Sequence, residues 1–148
     1  MAISKEAAKR FKLKEIIWAI TKKNPFKKQS RISLSKRIKY CKKIIKKTNL
    51  IKVKFYEDKI KSNKTINLIN FVNKNKRNEI YFLMGADNLI NFHKWKEWNK
   101  IAEISKILVF NRSNYKSKSL KSISFKKLNK KSLQFINFKK VNISSSQL

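Results

Sequence analysis

Apolar and polar positions along this chain follow two periods in turn. From Ser30 to Lys47 the apolar residues Leu34, Ile38, Cys41 and Ile45 recur at helical spacing, with lysines filling the other face. That is the stripe of an amphipathic helix with a solvated basic side. "SKEAAKRFKL" (4–13) reads as a helix whose packed face carries Ala7 and Phe11, and "TINLINFVNK" (65–74) as one with Ile66, Ile69 and Val72 on one side. Between them run short apolar stretches of strand character: "EIIWAIT" (15–21), "LIKVKFY" (50–56), "EIYFLM" (79–84), "KILVF" (106–110) and "FINF" (135–138). "KKNPFKKQ" (22–29) and residues 57–63 read as loops. After Gly85 a helical segment is expected to carry Leu89, Trp95, Trp98, Ile101 and Ala102, with the two tryptophans on one face. The Ser/Lys-rich residues 113–134 have poor periodicity and read as a mobile excursion with a helical turn or two.

Strands alternating with helices, the strands nearly all apolar, predict an α/β fold: a parallel sheet with helices on both faces. No repeat or Ser/Gly linker divides the 148 residues, so one domain, 1–148, is expected. No apolar run approaches the ~18 residues of a membrane helix. The start, "MAISKEAAKRF", has no signal-peptide core, and the chain is read as cytoplasmic. The single Cys41 excludes an intramolecular disulfide and a cysteine zinc site.

Charge changes the picture less than its size suggests. The formal net charge is +31, from 39 Lys+Arg against 8 Asp+Glu. Such an excess points toward phosphate-bearing partners. Yet the lysines are spread evenly, and Arg10, Arg31, Arg37, Arg77 and Arg112 are the only arginines. Glycine and proline occur once each, while isoleucine and asparagine abound. This is the mark of drift toward A/T-rich codons. Base-specific readout prefers arginine forks, so nucleic acid is expected to bind only non-specifically through lysines.

Ligands of parallel sheets bind beyond the carboxyl ends of the strands. Four features fall there: "TKKNPFK", "MGADNL", "FNRSN" and "NISSSQ". Gly85 stands out, because a chain with one glycine keeps it where φ is positive or a ligand approaches the backbone, and a helix-entry turn is the plainer alternative. Asp87 suits either a helix cap or a pair of ribose hydroxyls. Trp95 and Trp98 suit the core, and a flat ring near a strand end also suits stacking on a base. His93 has no acid or cysteine nearby and reads as structural or rim-lining. Ser144, Ser145 and Ser146 follow an apolar strand, where hydroxyls at a helix start suit an anion. There is no glycine-rich phosphate cradle, no paired metal-ligand histidine and no Ser/His/Asp arrangement.

Three of these stretches, in order, resemble the bacterial nicotinate-nucleotide adenylyltransferases of the nucleotidyltransferase superfamily. "FLMGADNLINFHKWKEWNKI" is similar to that family's G-x-D…W-x-x-W/Y segment, "IIWAITKKNPFK" to its strand followed by N-P-x-K, and "NISSSQL" to its terminal I-S-S-T/S. The resemblance implies a Rossmann-like fold and transfer of AMP from ATP to nicotinic acid mononucleotide, giving deamido-NAD and pyrophosphate, with Mg2+. It implies that Trp95 stacks on the nicotinate ring and Thr65 helps hold its carboxylate. Gly85 and Asp87 would line the nucleotide and ribose pocket. Asn24 and Lys27 would lie on the substrate-side loop, and Ser144 and Ser145 would bind ATP phosphates. The family's second threonine is replaced here by Leu68. Its opening G-G-S/T-F-D-P and H-x-G-H motifs have no counterpart, so no catalytic residue is assigned and the first central strand is expected to be missing. The arginine that follows I-S-S-T/S would come after Leu148, with a terminal helix. The expectation is a fragment with little or no catalysis of its own. The competing readings are another small nucleotidyltransferase, of pantetheine-phosphate or glycerol-phosphate type, a basic nucleic-acid-binding protein, and a non-catalytic relic of the fold.

Overall fold

The computed structural model describes residues 1–23, 32–74, 77–111, 114–128 and 131–137. The chain forms two compact units, Met1–Asn63 and Lys64–Leu148.

In the first unit, α1 (Ala2–Phe11) leads into β1 (Ile16–Ala19), then α2 (Leu34–Ile45), β2 (Ile51–Lys54) and a short α3 (Glu57–Ile60). β1 and β2 pair in parallel, Ile16 opposite Ile51 and Ala19 opposite Lys54. Their core is small: Ala8, Ile16 and Ile51 are buried, with Leu13, Trp18, Ile45 and Leu50 packed against them. Trp18 donates its indole N–H to the buried Ser4 Oγ at 3.0 Å, which joins strand to helix and satisfies both polar groups. α2 begins at Ser33, whose hydroxyl accepts from Lys36 N. No residue of α2 is fully buried, so it is held by a half-covered apolar stripe, as its pattern of lysines dictates. The segment 57–63, expected as loop, contains one helical turn, with Glu57 and Asp58 at the amino end where acids are favoured.

The second unit holds α4 (Thr65–Val72), β3 (Tyr81–Gly85), α5 (Ala86–Asn91), a 3-10 turn (Phe92–Lys94), α6 (Trp98–Ile104), β4 (Lys106–Phe110), α7 (Lys116–Leu120), α8 (Ile123–Lys127) and β5 (Leu133–Ile136). Its three strands pair in parallel in the order β3-β4-β5. The central β4 is buried along Ile107, Leu108 and Val109, the continuous apolar run that a strand covered on both faces requires. The core joins Ile66 and Ile69 of α4, Met84, Leu89, Phe92, Ile101 and β4. All strand pairing in both units is parallel, as the alternating pattern predicts, although the strands divide between a two-stranded and a three-stranded sheet.

One expectation is corrected here: the helix after Gly85 is not continuous. α5 stops at Asn91, Trp95 is extended (φ −77°, ψ 146°), and Glu97 is left-handed (φ 51°) before α6 begins. In an unbroken helix Trp98 would stand about 9 Å along the axis from Phe92. The break folds it back, so that both Trp95 and Trp98 meet the fully buried Phe92 edge-on, at 5.3 and 5.8 Å between ring centres. Residues 113–134 hold the helical turns expected of them. There the described residues form α7 and α8, with Ser119, Ser122 and Ser124 buried. Their hydroxyls bond to backbone groups, which lets polar residues without apolar periodicity pack inside.

Glycine is not used where the backbone turns left. Lys12, Lys61, Glu97 and Asn114 have positive φ. Lys12 and Lys61 end helices there, and in both cases the next residue donates to the carbonyl five back: Leu13 to Ala8 and Ser62 to Glu57.

Candidate functional site

In the second unit the strand register lines up the carboxyl ends. Gly85 pairs with Phe110, and Phe110 with Ile136. The next residues, Ala86, Asn111 and Asn137, therefore leave the sheet at one flush edge. At this edge of a parallel sheet ligands are expected.

Gly85 ends β3 and stands at the N-cap of α5 with φ −78° and ψ 154°. Positive φ is thus not why glycine is kept; Gly85 serves the helix-entry turn, at an N-cap position that glycine suits. Asp87 is the second residue of α5 and not its cap, half-buried, in the first turn where a carboxylate is favoured. Trp95 comes ten residues after Gly85. It is half-buried, edge-on to Phe82 at 6.1 Å as well as to Phe92. Thr65 opens α4, whose N-cap Lys64 makes no side-chain cap bond. The adjoining Ile66 packs in the same apolar cluster as Phe92, and Trp95 leans on that cluster. Gly85, Asp87, Trp95 and Thr65 are thus gathered around one core. His93 sits in the 3-10 turn, half-buried, its backbone N–H bound to Ser124 Oγ at 2.9 Å.

Asn24, Lys27, Ser144 and Ser145 lie outside the described residues. The residues that precede Asn24 are held by several bonds. Lys22 donates its backbone N–H to Glu57 Oε2 at 3.0 Å and pairs its ammonium with Asp58, which raises the lysine pKa. Arg37 donates to the Lys22 carbonyl at 2.9 Å, and the Lys22 ammonium lies 5.7 Å from the Phe55 ring centre. Sequence reading missed this clamp. The signal was present: two of eight acids stand side by side at positions 57 and 58.

Asn111 was also missed as an individual residue. It follows β4 at the flush edge, and its Oδ1 is buried without a partner among the described residues. A buried, unpaired acceptor costs about 1–3 kcal/mol until something donates to it. The opposite ends of the strands are closed by ordinary structure. Glu79 pairs with Lys106 and accepts from Tyr81 at 2.7 Å, bonds that lower its carboxyl pKa.

The cytidylyltransferase-like family matches residues 1–148. A probable nicotinate-nucleotide adenylyltransferase of Pelagibacter ubique (strain HTCC1062) is 64% identical over 148 residues, which cover 100% of this chain and 82% of that protein. This chain belongs to the nicotinate-nucleotide adenylyltransferase family. A member from Agrobacterium fabrum (strain C58 / ATCC 33970) is 35% identical over 112 residues, covering 74% of this chain and 59% of its own length. Among solved structures, the Plasmodium falciparum nicotinic acid mononucleotide adenylyltransferase complexed with NaAD superposes with a TM-score of 0.72 at 20% identity. That match covers 99% of this chain and 73% of the other. The shared fold is the Rossmann-like nucleotidyltransferase fold, the α/β architecture expected from the sequence.

Family members use ATP, which brings Mg2+ into question. Among the described residues no group of three or more His, Cys, Asp or Glu side chains could hold a metal ion. A dedicated protein cage for Mg2+ does not fit these residues. The ion commonly travels on substrate phosphates with its own waters, and no step below is routed through it. Among the described residues no helix is long and apolar enough to cross a membrane.

Proposed function

We propose that this chain is a cytoplasmic adenylyltransferase that moves AMP from ATP to nicotinic acid mononucleotide. The 5′-phosphate oxygen of the mononucleotide attacks the α-phosphorus of ATP in line. The bond to the β-phosphate oxygen breaks, and pyrophosphate leaves with its electron pair, giving deamido-NAD. No covalent enzyme intermediate is needed. The protein's task is to hold two anionic nucleotides in line, which is catalysis by positioning and charge.

The observation that carries this reading is the half-buried Trp95, braced edge-on by Phe82 of β3 and by Phe92. A ring fixed in this way loses little freedom on stacking against a pyridine. Thr65 is assigned to the nicotinate carboxylate, with one hydroxyl where relatives often have two, because Leu68 stands at the second position. Gly85 lets the mononucleotide approach the backbone, and Asp87 accepts from the ribose hydroxyls. Asn24 and Lys27 are assigned to the substrate-side loop, and Ser144 and Ser145 to ATP phosphates. Asn111 joins them as an acceptor for a ligand N–H or hydroxyl at the flush edge.

The test is titration of the chain with nicotinic acid mononucleotide, read by tryptophan fluorescence. Saturable quenching is expected, and it should vanish in Trp95→Ala while Trp18 and Trp98 still emit. Equal quenching in the variant would remove Trp95 from the site. No quenching in a folded wild-type chain would sink the substrate assignment.

A further inference from the structure

We propose that Ser124 is a positioning residue for the Trp95 platform, so that the segment around α7 and α8 sets how the substrate ring is received. The inference rests on the role given to Trp95 above.

α5 ends where its hydrogen-bond ladder ends. The Phe92 N–H still reaches the Leu89 carbonyl, and the Trp95 N–H closes the 3-10 turn on the Phe92 carbonyl at 3.0 Å. The His93 N–H, between them, takes a different acceptor. It donates to Ser124 Oγ, 31 positions along the chain, at 2.9 Å. Ser124 is fully buried. A side chain thus supplies the acceptor at the residue where the helix gives way to the turn that delivers Trp95. Two residues later the backbone is extended, and the ring lies edge-on to Phe92.

The neighbouring serines do something else. Ser119 Oγ donates to the Lys116 carbonyl, and Ser122 Oγ to the Ser119 carbonyl. Both hydroxyls stay within the α7–α8 segment and hold its shape. Ser124 alone of the three carries a hydrogen bond across to the turn before Trp95. Without it the His93 N–H would lose its acceptor, or the turn would rewind toward α-helix and rotate the Trp95 ring. Either change alters the stacking surface and leaves the reacting phosphates untouched. The expected effect is therefore on capture of the mononucleotide.

The experiment compares Ser124→Ala with Ser119→Ala, an equally buried serine whose bond is internal to its own helix. Protein labelled with 5-fluorotryptophan reports each indole separately by fluorine NMR, with Trp18→Phe, Trp95→Phe and Trp98→Phe for assignment. Ser124→Ala should move or broaden the Trp95 resonance and leave that of Trp18 in place; Ser119→Ala should leave the Trp95 resonance unmoved. Ser124→Ala should also weaken binding of nicotinic acid mononucleotide about tenfold, and Ser124→Thr, which keeps the hydroxyl, should restore most of it. An unmoved Trp95 resonance in folded Ser124→Ala overturns the inference, as does an equal shift in Ser119→Ala. If the wild-type chain does not bind the mononucleotide, the functional reading fails, and the fluorine comparison still decides the role of Ser124.

Discussion

Replacing Phe92 with alanine tests how the tryptophan platform is built. Phe92 has no exposed surface and is among the largest fully buried side chains. It also meets two rings edge-on, Trp95 at 71° and Trp98 at 81°. Truncation of a buried Phe to Ala costs about 3–5 kcal/mol through lost transfer energy and the cavity left behind. Each aromatic edge contact adds about 0.5–1.5 kcal/mol beyond area. Two such contacts place Phe92→Ala near the top of that range. Phe92→Leu keeps most of the burial and loses the contacts, so it should cost about 1–3 kcal/mol. Small domains have only about 5–15 kcal/mol in total. With a urea slope of about 2 kcal/mol per molar, the alanine variant should unfold about 2 M earlier, the leucine variant about 1 M earlier. The measurement is urea unfolding followed by tryptophan emission and circular dichroism together. Tryptophan emission in the folded variants should shift red as water reaches the exposed indoles. An alanine variant that loses less than about 1 kcal/mol, with unchanged emission, would refute the claim that Phe92 holds the platform.

Other consequences can be checked directly. Ser122 caps α8 by accepting from Phe125 N at 3.2 Å and also donates to the Ser119 carbonyl at 2.6 Å. Ser122→Ala should cost about 1–2 kcal/mol, measured by chemical denaturation. Burial pushes the Cys41 thiol pKa up, with Arg37 opposing more weakly. Its alkylation rate should therefore rise with pH along a curve displaced above that of a free cysteine peptide, as followed by mass spectrometry. Hydrogen bonds from Lys106 and then Tyr81 lower the Glu79 pKa. A carboxylate with a lowered folded pKa adds stability above its unfolded value and loses it as pH falls through the folded one. Glu79→Gln should thus lower stability only slightly at neutral pH, since the pair is exposed, and leave the acid limit unchanged, where the carboxyl is already protonated.

Periodic segments were legible before any coordinates. β4 runs over 106–110 as its apolar pattern says, and α2 and α4 fall inside the helices expected at 30–47 and 65–74. A stripe of apolar residues at fixed spacing is local information, and it needs no tertiary partner to be read. What was hidden depended on partners far along the chain. The break at Trp95 follows from Phe92, which accepts both tryptophans, and from Ser124, 31 positions after His93. The burial of Ser119, Ser122 and Ser124 was equally unreadable, because serine carries no hydropathy signal. The G-x-D…W-x-x-W stretch was legible as the segment that carries the family resemblance. The positive φ offered for Gly85 is absent, because its backbone is ordinary extended chain at a helix entry. Asn111 escaped because one asparagine among many draws no notice until its buried oxygen is seen.

The four left-handed residues show what a genome's drift has cost this fold. Left-handed backbone at a residue with a Cβ costs roughly 1–2 kcal/mol, and glycine removes most of that. Lys12, Lys61, Glu97 and Asn114 hold such positions in a chain whose single glycine stands in ordinary extended backbone. The protein therefore carries a reserve of unclaimed stability at identifiable joints. Two of these joints end helices and one opens the helix after Trp95. An engineer seeking a hardier enzyme would begin with Lys12→Gly and Lys61→Gly, at no expense to the core.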